Sequence, residues 1–96
     1  MKQYYVYIMA SGKRGYLYTG VTNNINRRCW EHKNKFVNSY SKKHNIVKLF
    51  YYEVFEDVNY AIQREKTIKK CRREIKFEAI EKLDPEWSDF YFNLND

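Results

Sequence analysis

Proline occurs once in 96 residues and glycine three times. Neither a collagen-like nor a low-complexity chain is compatible with that poverty. Cysteine is limited to Cys29 and Cys71. They form no CxxC pair and no zinc-ligand spacing, so two reduced, partly buried thiols are expected. No apolar run approaches the roughly 18–20 residues of a membrane-spanning helix, and no membrane partner is expected. The opening stretch Met1–Ala10 is too short and too aromatic for a signal peptide, which gives a cytoplasmic expectation. No internal repeat or linker is visible, and the length suits one unit. We set residues 1–83 as that domain and residues 84–96 as an acidic C-terminal tail.

Aromatics and positive charge are abundant. Phe, Trp and Tyr make up 19% of the chain, ten of them Tyr, and the formal net charge is +6. The charge is unevenly spread: residues 1–52 hold ten Lys/Arg and the single acid Glu31, while residues 53–96 hold eight bases and eleven acids. Within the second part the bases gather around Lys69-Lys70-Cys71-Arg72-Arg73, and beyond Lys76 only Lys82 is basic. A basic body with an acidic end is the electrostatic pattern of a polyanion binder, or simply of a well-solvated surface. Tyrosines add rings that stack on bases and hydroxyls that bond phosphates, although most tyrosines in a small domain pack in its core.

The element order reads β-β-α-β-α-α, an α+β domain with a three-stranded antiparallel sheet. Strands are predicted over Tyr4–Met9 and Tyr16–Val21, joined by a turn over Ala10–Gly15 in which two glycines supply φ > 0. Thr22-Asn23-Asn24 offers N-caps for a helix over Ile25–Lys33, and Asn34–Asn45 reads as a polar, basic loop. A third strand spans Ile46–Phe55. Helices follow from Asp57 to about Arg72 and from Arg73 to Leu83, the last stopped by Asp84-Pro85.

Three coincidences of position point to chemistry. A hairpin centred on Gly12-Lys13 sets Tyr7 opposite Tyr18 and Tyr5 opposite Gly20. Tyr5, Tyr7, Tyr16 and Tyr18 then share one face, with Val6, Ile8 and Leu17 on the core side. That is an aromatic ladder, or a pair of phenols placed for proton transfer. In the first helix Ile25, Arg28, Cys29 and His32 share the sheet-facing stripe, while Arg27 faces solvent. A core-edge Arg28 needs a partner, either a structural carboxylate or a substrate phosphate. His32 is a satisfied structural histidine or a proton carrier. In the second helix Glu65 falls between Ala61 and Ile62 on the apolar stripe, which calls for an ion pair with Arg28 or Lys69, or for a divalent metal. A single carboxylate suits Mg²⁺, which keeps several waters and accepts phosphate oxygens.

Tyr5-Val6-Tyr7, Tyr18-Thr19-Gly20, Asn24–His32 and Arg64-Glu65-Lys66, with their spacing, resemble the GIY-YIG nuclease superfamily, and most of all its small stand-alone bacterial members. The first motif carries Tyr5 at the name-giving glycine position, and Thr19 replaces isoleucine in the second. The resemblance implies a metal-dependent endonuclease that hydrolyses DNA phosphodiester bonds in repair or recombination. It implies Tyr7 as general base or relay, Tyr18 for placing water and phosphate, and Arg28 for stabilising the transition state. It also implies His32 as a proton relay and Glu65 as the ligand of one Mg²⁺ or Mn²⁺ ion. Gly20 matches the glycine past which the backbone runs closely. Nucleic-acid contacts are expected from Tyr5, Gly20, Lys42, Lys43, Lys69 and Arg72, with DNA favoured over RNA. No separate target-recognition domain is apparent, so a protein partner that supplies specificity is a further expectation. The alternative is a non-catalytic nucleic-acid-binding module of the same fold.

Overall fold

A computed structural model describes residues 2–94. Strands β1 (Tyr4–Ala10) and β2 (Leu17–Thr22) form an antiparallel hairpin, followed by helices α1 (Ile25–Lys33) and α2 (Ser39–Lys43). Strand β3 (Lys48–Phe55) pairs antiparallel with the other edge of β1, giving the order β2-β1-β3. Helices α3 (Val58–Lys70) and α4 (Arg73–Leu83) and a 3-10 helix, Phe90–Asn93, complete the chain. The α+β class and the three-stranded antiparallel sheet are as the sequence implied.

Local chemistry fixes the helix ends. Asn24 caps α1 by accepting a hydrogen bond from Arg27 N at 3.0 Å, and Asp57 caps α3 by accepting from Asn59 N at 2.7 Å. The stretch expected as loop contains α2, because Asn38 accepts from Ser41 N at 2.9 Å and so caps a turn of its own. Helix α3 stops at Lys70 because both Cys71 and Arg72 take extended backbone before α4 begins.

The hairpin differs from expectation by two residues. Tyr7 pairs with Gly20, Met9 with Tyr18 and Tyr5 with Thr22. The connection is longer than a turn centred on Gly12-Lys13: Ser11 N donates to Tyr16 O at 3.0 Å, and Gly15 N to Gly12 O at 3.0 Å. Neither turn glycine has positive φ; Arg14 takes it, at 56°. Gly15 answers a different need, since a Cβ there would run into Ser11 Oγ. A shift of two preserves the pleat, so the division into faces survives.

Central strand β1 is buried on both sides. On one, Val6, Ile8 and Ala10 pack with Phe50, Ala61, Ile68, Phe77, Ile80 and Trp87, under α3 and α4. On the other, Tyr7 and Met9 pack with Ile25, Cys29, Ile46 and Leu49, under α1. Each fully buried aliphatic side chain contributes about 1.5–3 kcal/mol relative to exposure.

The segment set apart as an acidic tail folds back onto the domain. Trp87 is buried, its ring edge-on to Phe50 at 5.0 Å, and its Nε1 donates to Glu81 at 3.0 Å. Two acids that suggested a solvated tail act instead as local acceptors. Asp84 receives Glu86 N and Ser88 N, and Asp89 receives Leu49 N at 3.0 Å and the Lys33 ammonium at 2.6 Å. Asn95 and Asp96 of that segment lie outside the described residues.

Candidate active site

On the α1 side, β1 and β2 present Tyr7 and Tyr18 with ring centroids 6.3 Å apart. The register that sets Gly20 opposite Tyr7 has a steric purpose. A Cβ on Gly20 would lie 2.6 Å from Tyr7 Oη and 3.1 Å from Tyr18 Cε2, so only a glycine lets both phenols lie over the strand.

Helix α1 brings Arg28 to this pair. Its Nε donates to Tyr7 Oη at 3.1 Å and its Nη1 to Glu31 Oε1 at 3.1 Å, with 30% of the side chain exposed. Burial works against the guanidinium charge, but the bonds to Tyr7 and Glu31 outweigh it and raise its pKa, so Arg28 is permanently cationic. Burial also pushes the Tyr7 phenol up to about 12, against the opposing influence of Arg28. Tyr7 is therefore neutral near pH 7. Its oxygen accepts from Arg28, and its own proton is available to donate.

Helix α3 supplies Glu65 from across the cleft, with 14% of its side chain exposed and its Oε1 3.5 Å from Lys69 Nζ. Lys69 is thus the cation that Glu65 meets, whereas Arg28 pairs with Glu31. Tyr7, Tyr18, Gly20, Arg28, Glu65 and Lys69 together line a cleft of about 530 Å³. Arg27, Glu31, Thr22 and Asn23 line it too. Sequence reasoning placed Arg27 toward solvent, where it is exposed and still reaches the cleft. It missed Glu31, although an acid three residues beyond Arg28 on one helix is a standing signal for a pair.

His32 belongs to a different layer. It is buried behind the tyrosines and is not part of the cleft lining, its ring 6.1 Å from Tyr7 and 5.4 Å from Tyr18 by centroid. Nδ1 sits 3.1 Å from the Ile46 carbonyl, which only accepts, so Nδ1 bears the proton and Nε2 a lone pair. Among the described residues Nε2 has no hydrogen-bond partner. Burial lowers the imidazole pKa to about 4, despite the bond to Ile46, so the ring is neutral near pH 7.

The remaining candidates lie elsewhere. Tyr5 donates to Gln3 at 2.9 Å and packs edge-on to Tyr52. Lys42 and Lys43 are exposed on α2, and Arg72 is exposed just before α4. Cys29 is buried, and burial above all pushes its thiol up to about 12, as expected of a structural thiol.

The chemistry of the donors limits a metal. Among the described residues no cluster of three or more His, Cys, Asp or Glu could hold an ion. Of the two carboxylates that line the cleft, Glu31 is held by Arg28 at 3.1 Å, while Glu65, 3.5 Å from Lys69, is the more loosely held. That fits a hard divalent cation completing its shell with water and phosphate oxygens, and does not fit zinc.

Residues 3–78 match a family described as the GIY-YIG catalytic domain. A UPF0213 protein of Clostridium perfringens is 42% identical over 76 residues, covering 79% of this chain and 81% of that one. A UPF0213 protein of Syntrophus aciditrophicus is 38% identical over 87 residues, covering 90% and 98%. Among solved structures, the solution NMR structure of a UPF0213 protein from Bacillus halodurans aligns over 85% of each chain with a TM-score of 0.50 and 28% identity.

Proposed function

Because the chain belongs to the GIY-YIG catalytic-domain family, an endonuclease-type family, we propose that it is a metal-dependent endonuclease that hydrolyses DNA phosphodiester bonds. The observation that supports this is the convergence of Tyr7, Tyr18, Arg28 and Glu65, from four separate elements and a wide span of sequence, on one cleft.

In this reading the scissile phosphate enters between the tyrosines and Arg28. Water attacks phosphorus and the ester P–O bond breaks, with negative charge growing on the non-bridging oxygens. Arg28 stabilises that charge by turning from Glu31 to the phosphate, a charge-assisted bond in a partly desolvated site. Tyr7, neutral at rest, accepts the proton of the attacking water only as it passes its own to solvent, which makes it a relay, and the departing ester oxygen takes up a proton from solvent. Tyr18 orients the water and phosphate. His32 is a positioning residue that holds both phenols from behind. Glu65 is the side chain that would hold Mg²⁺ or Mn²⁺, and such an ion supplies charge neutralisation and a more acidic water. Lys69 restrains Glu65 and adds positive potential. Action on repair or recombination intermediates is part of this proposal.

A second reading has its own support. Arg28 is already engaged by Glu31, and the Tyr7 phenol is far from ionised, features that also suit a non-catalytic DNA-binding module. Incubating single-stranded, duplex, flap and branched DNAs with Mg²⁺ or Mn²⁺ separates the two. The nuclease cuts at least one, and Arg28→Ala and Glu65→Ala each slow it by about 100-fold or more. Binding without cutting leaves the binding module, and equal cutting by the variants removes the catalytic roles given to Arg28 and Glu65.

A further inference from the structure

The sheet face that carries Tyr18 runs on, away from the cleft, into an exposed aromatic cluster that the reaction above does not use. Hairpin pairing continues one step past Leu17. Ser11 N donates to Tyr16 O, and Tyr16 N to Ser11 Oγ, both at 3.0 Å. Tyr16 therefore lies opposite Ser11, on the same side of the ribbon as Tyr18 and one repeat of about 6–7 Å further along. Its ring stacks on His44 at 4.0 Å between centroids and 24° between planes, and Tyr40 meets His44 at 4.8 Å and 61°. Tyr16 is 48% exposed and Tyr40 47%, so about half of each phenol stays in water.

The backbone beneath these rings is fixed. Both main-chain groups of Tyr16 are bonded to Ser11. Helix α2 is capped by Asn38, anchored by the buried Ser41, and joined to the next strand by Ile46 N donating to Ser41 O at 3.0 Å. Rings presented on a fixed backbone lose little freedom when a ligand covers them. On the segment that carries Tyr40 and His44 the charges have one sign: residues 36–48 contain no acid, and the exposed side chains of Lys42 and Lys43 take part in no ion pair among the described residues. Flat π surfaces, uncommitted cations and an adjoining cleft with two arginines match a phosphate strand whose bases are unpaired. A duplex hides its base faces from such a surface, and an apolar protein segment has no use for its cations.

We propose that Tyr16, His44 and Tyr40 form a stacking platform for unpaired nucleobases of the strand whose phosphate enters the cleft, so the substrate is single-stranded at or beside the cut. The proposal rests on the nuclease-family reading of the cleft and names the strand presented to it.

The test is binding by the full chain, without divalent metal, to labelled strands of about twelve nucleotides. Oligothymidylate is compared with an abasic strand of equal length and charge, with oligouridylate, and with a blunt duplex. The expected result is binding of oligothymidylate at least about tenfold tighter than of the abasic strand. Tyr16→Leu and Tyr40→Leu each remove most of that advantage with unchanged circular dichroism, while Tyr16→Phe keeps it. Tighter binding of thymidylate than of uridylate names DNA, and the reverse names RNA. Replacing Lys42 and Lys43 by alanine weakens normal and abasic strands alike and flattens the salt dependence. Equal binding of normal and abasic strands, or an advantage that survives both leucine variants, overturns the platform. The cleavage assay is scored apart. Base-dependent binding without cutting removes the catalytic reading and leaves the platform, whereas duplex cutting without base dependence does the reverse.

Discussion

Strand β1 sends alternate residues into two interiors of opposite character. Val6, Ile8 and Ala10 enter a dry aliphatic and aromatic layer under α3 and α4. Tyr7, one pleat away, enters a layer that holds a phenol bonded to a guanidinium and a neutral imidazole whose Nε2 meets no partner among the described residues. Apolar burial is non-directional and tolerant of detail, so the first layer can supply most of the stability. The second keeps polar groups partly desolvated, which costs stability and makes them responsive to a ligand. The sheet is thus a partition that lets one face stabilise a site that the other could not sustain alone.

That division can be attacked from either side. The largest expected effect is on the dry face: Ile80→Ala lowers unfolding free energy by about 2–5 kcal/mol, read by urea denaturation, while activity per folded molecule is retained. On the polar face His32 gives a pH signature. Its pKa is about 4 folded and 6.5 unfolded, so the unfolded chain binds more protons between those values. Stability therefore falls as pH drops through that window, by about 3 kcal/mol in full, and His32→Gln flattens the profile. Gly20→Ala forces a methyl against Tyr7 Oη and Tyr18, and should destabilise by about 1–3 kcal/mol while impairing cleavage out of proportion. The smallest effect belongs to Arg64, whose Nε and Nη2 meet Glu53 at 2.9 and 3.0 Å near the surface. Arg64→Ala should cost about 1 kcal/mol or less and leave cleavage unchanged. A large effect on activity there would show that the partition leaks.

Much of this was legible because periodicity survives small errors. A hairpin misplaced by two residues still sorted the tyrosines from the aliphatics, and helical spacing alone brought Arg28 and Glu65 toward the sheet. Roles that depend on distance were not legible. Whether Arg28 would meet Glu65, Glu31 or Tyr7 is decided by contacts of about 3 Å, and the depth of His32 by how tightly two tyrosines close over it. The end of the chain misled for a different reason: composition counted the charges of Asp84 and Asp89 but could not show that both are spent on backbone N–H groups. The stacked cluster was hidden because Tyr16 and His44 lie 28 positions apart and meet only through the return of α2.

Trp87 has a consequence for synthesis. Every side chain proposed for the chemistry precedes it, yet it is the ring that covers Phe50 and Phe77. On the ribosome the cleft residues emerge first, while the opposite layer stays uncovered until Trp87 has left the exit tunnel. A nascent chain paused before that point exposes two core phenylalanines and belongs, for that interval, to the chaperones.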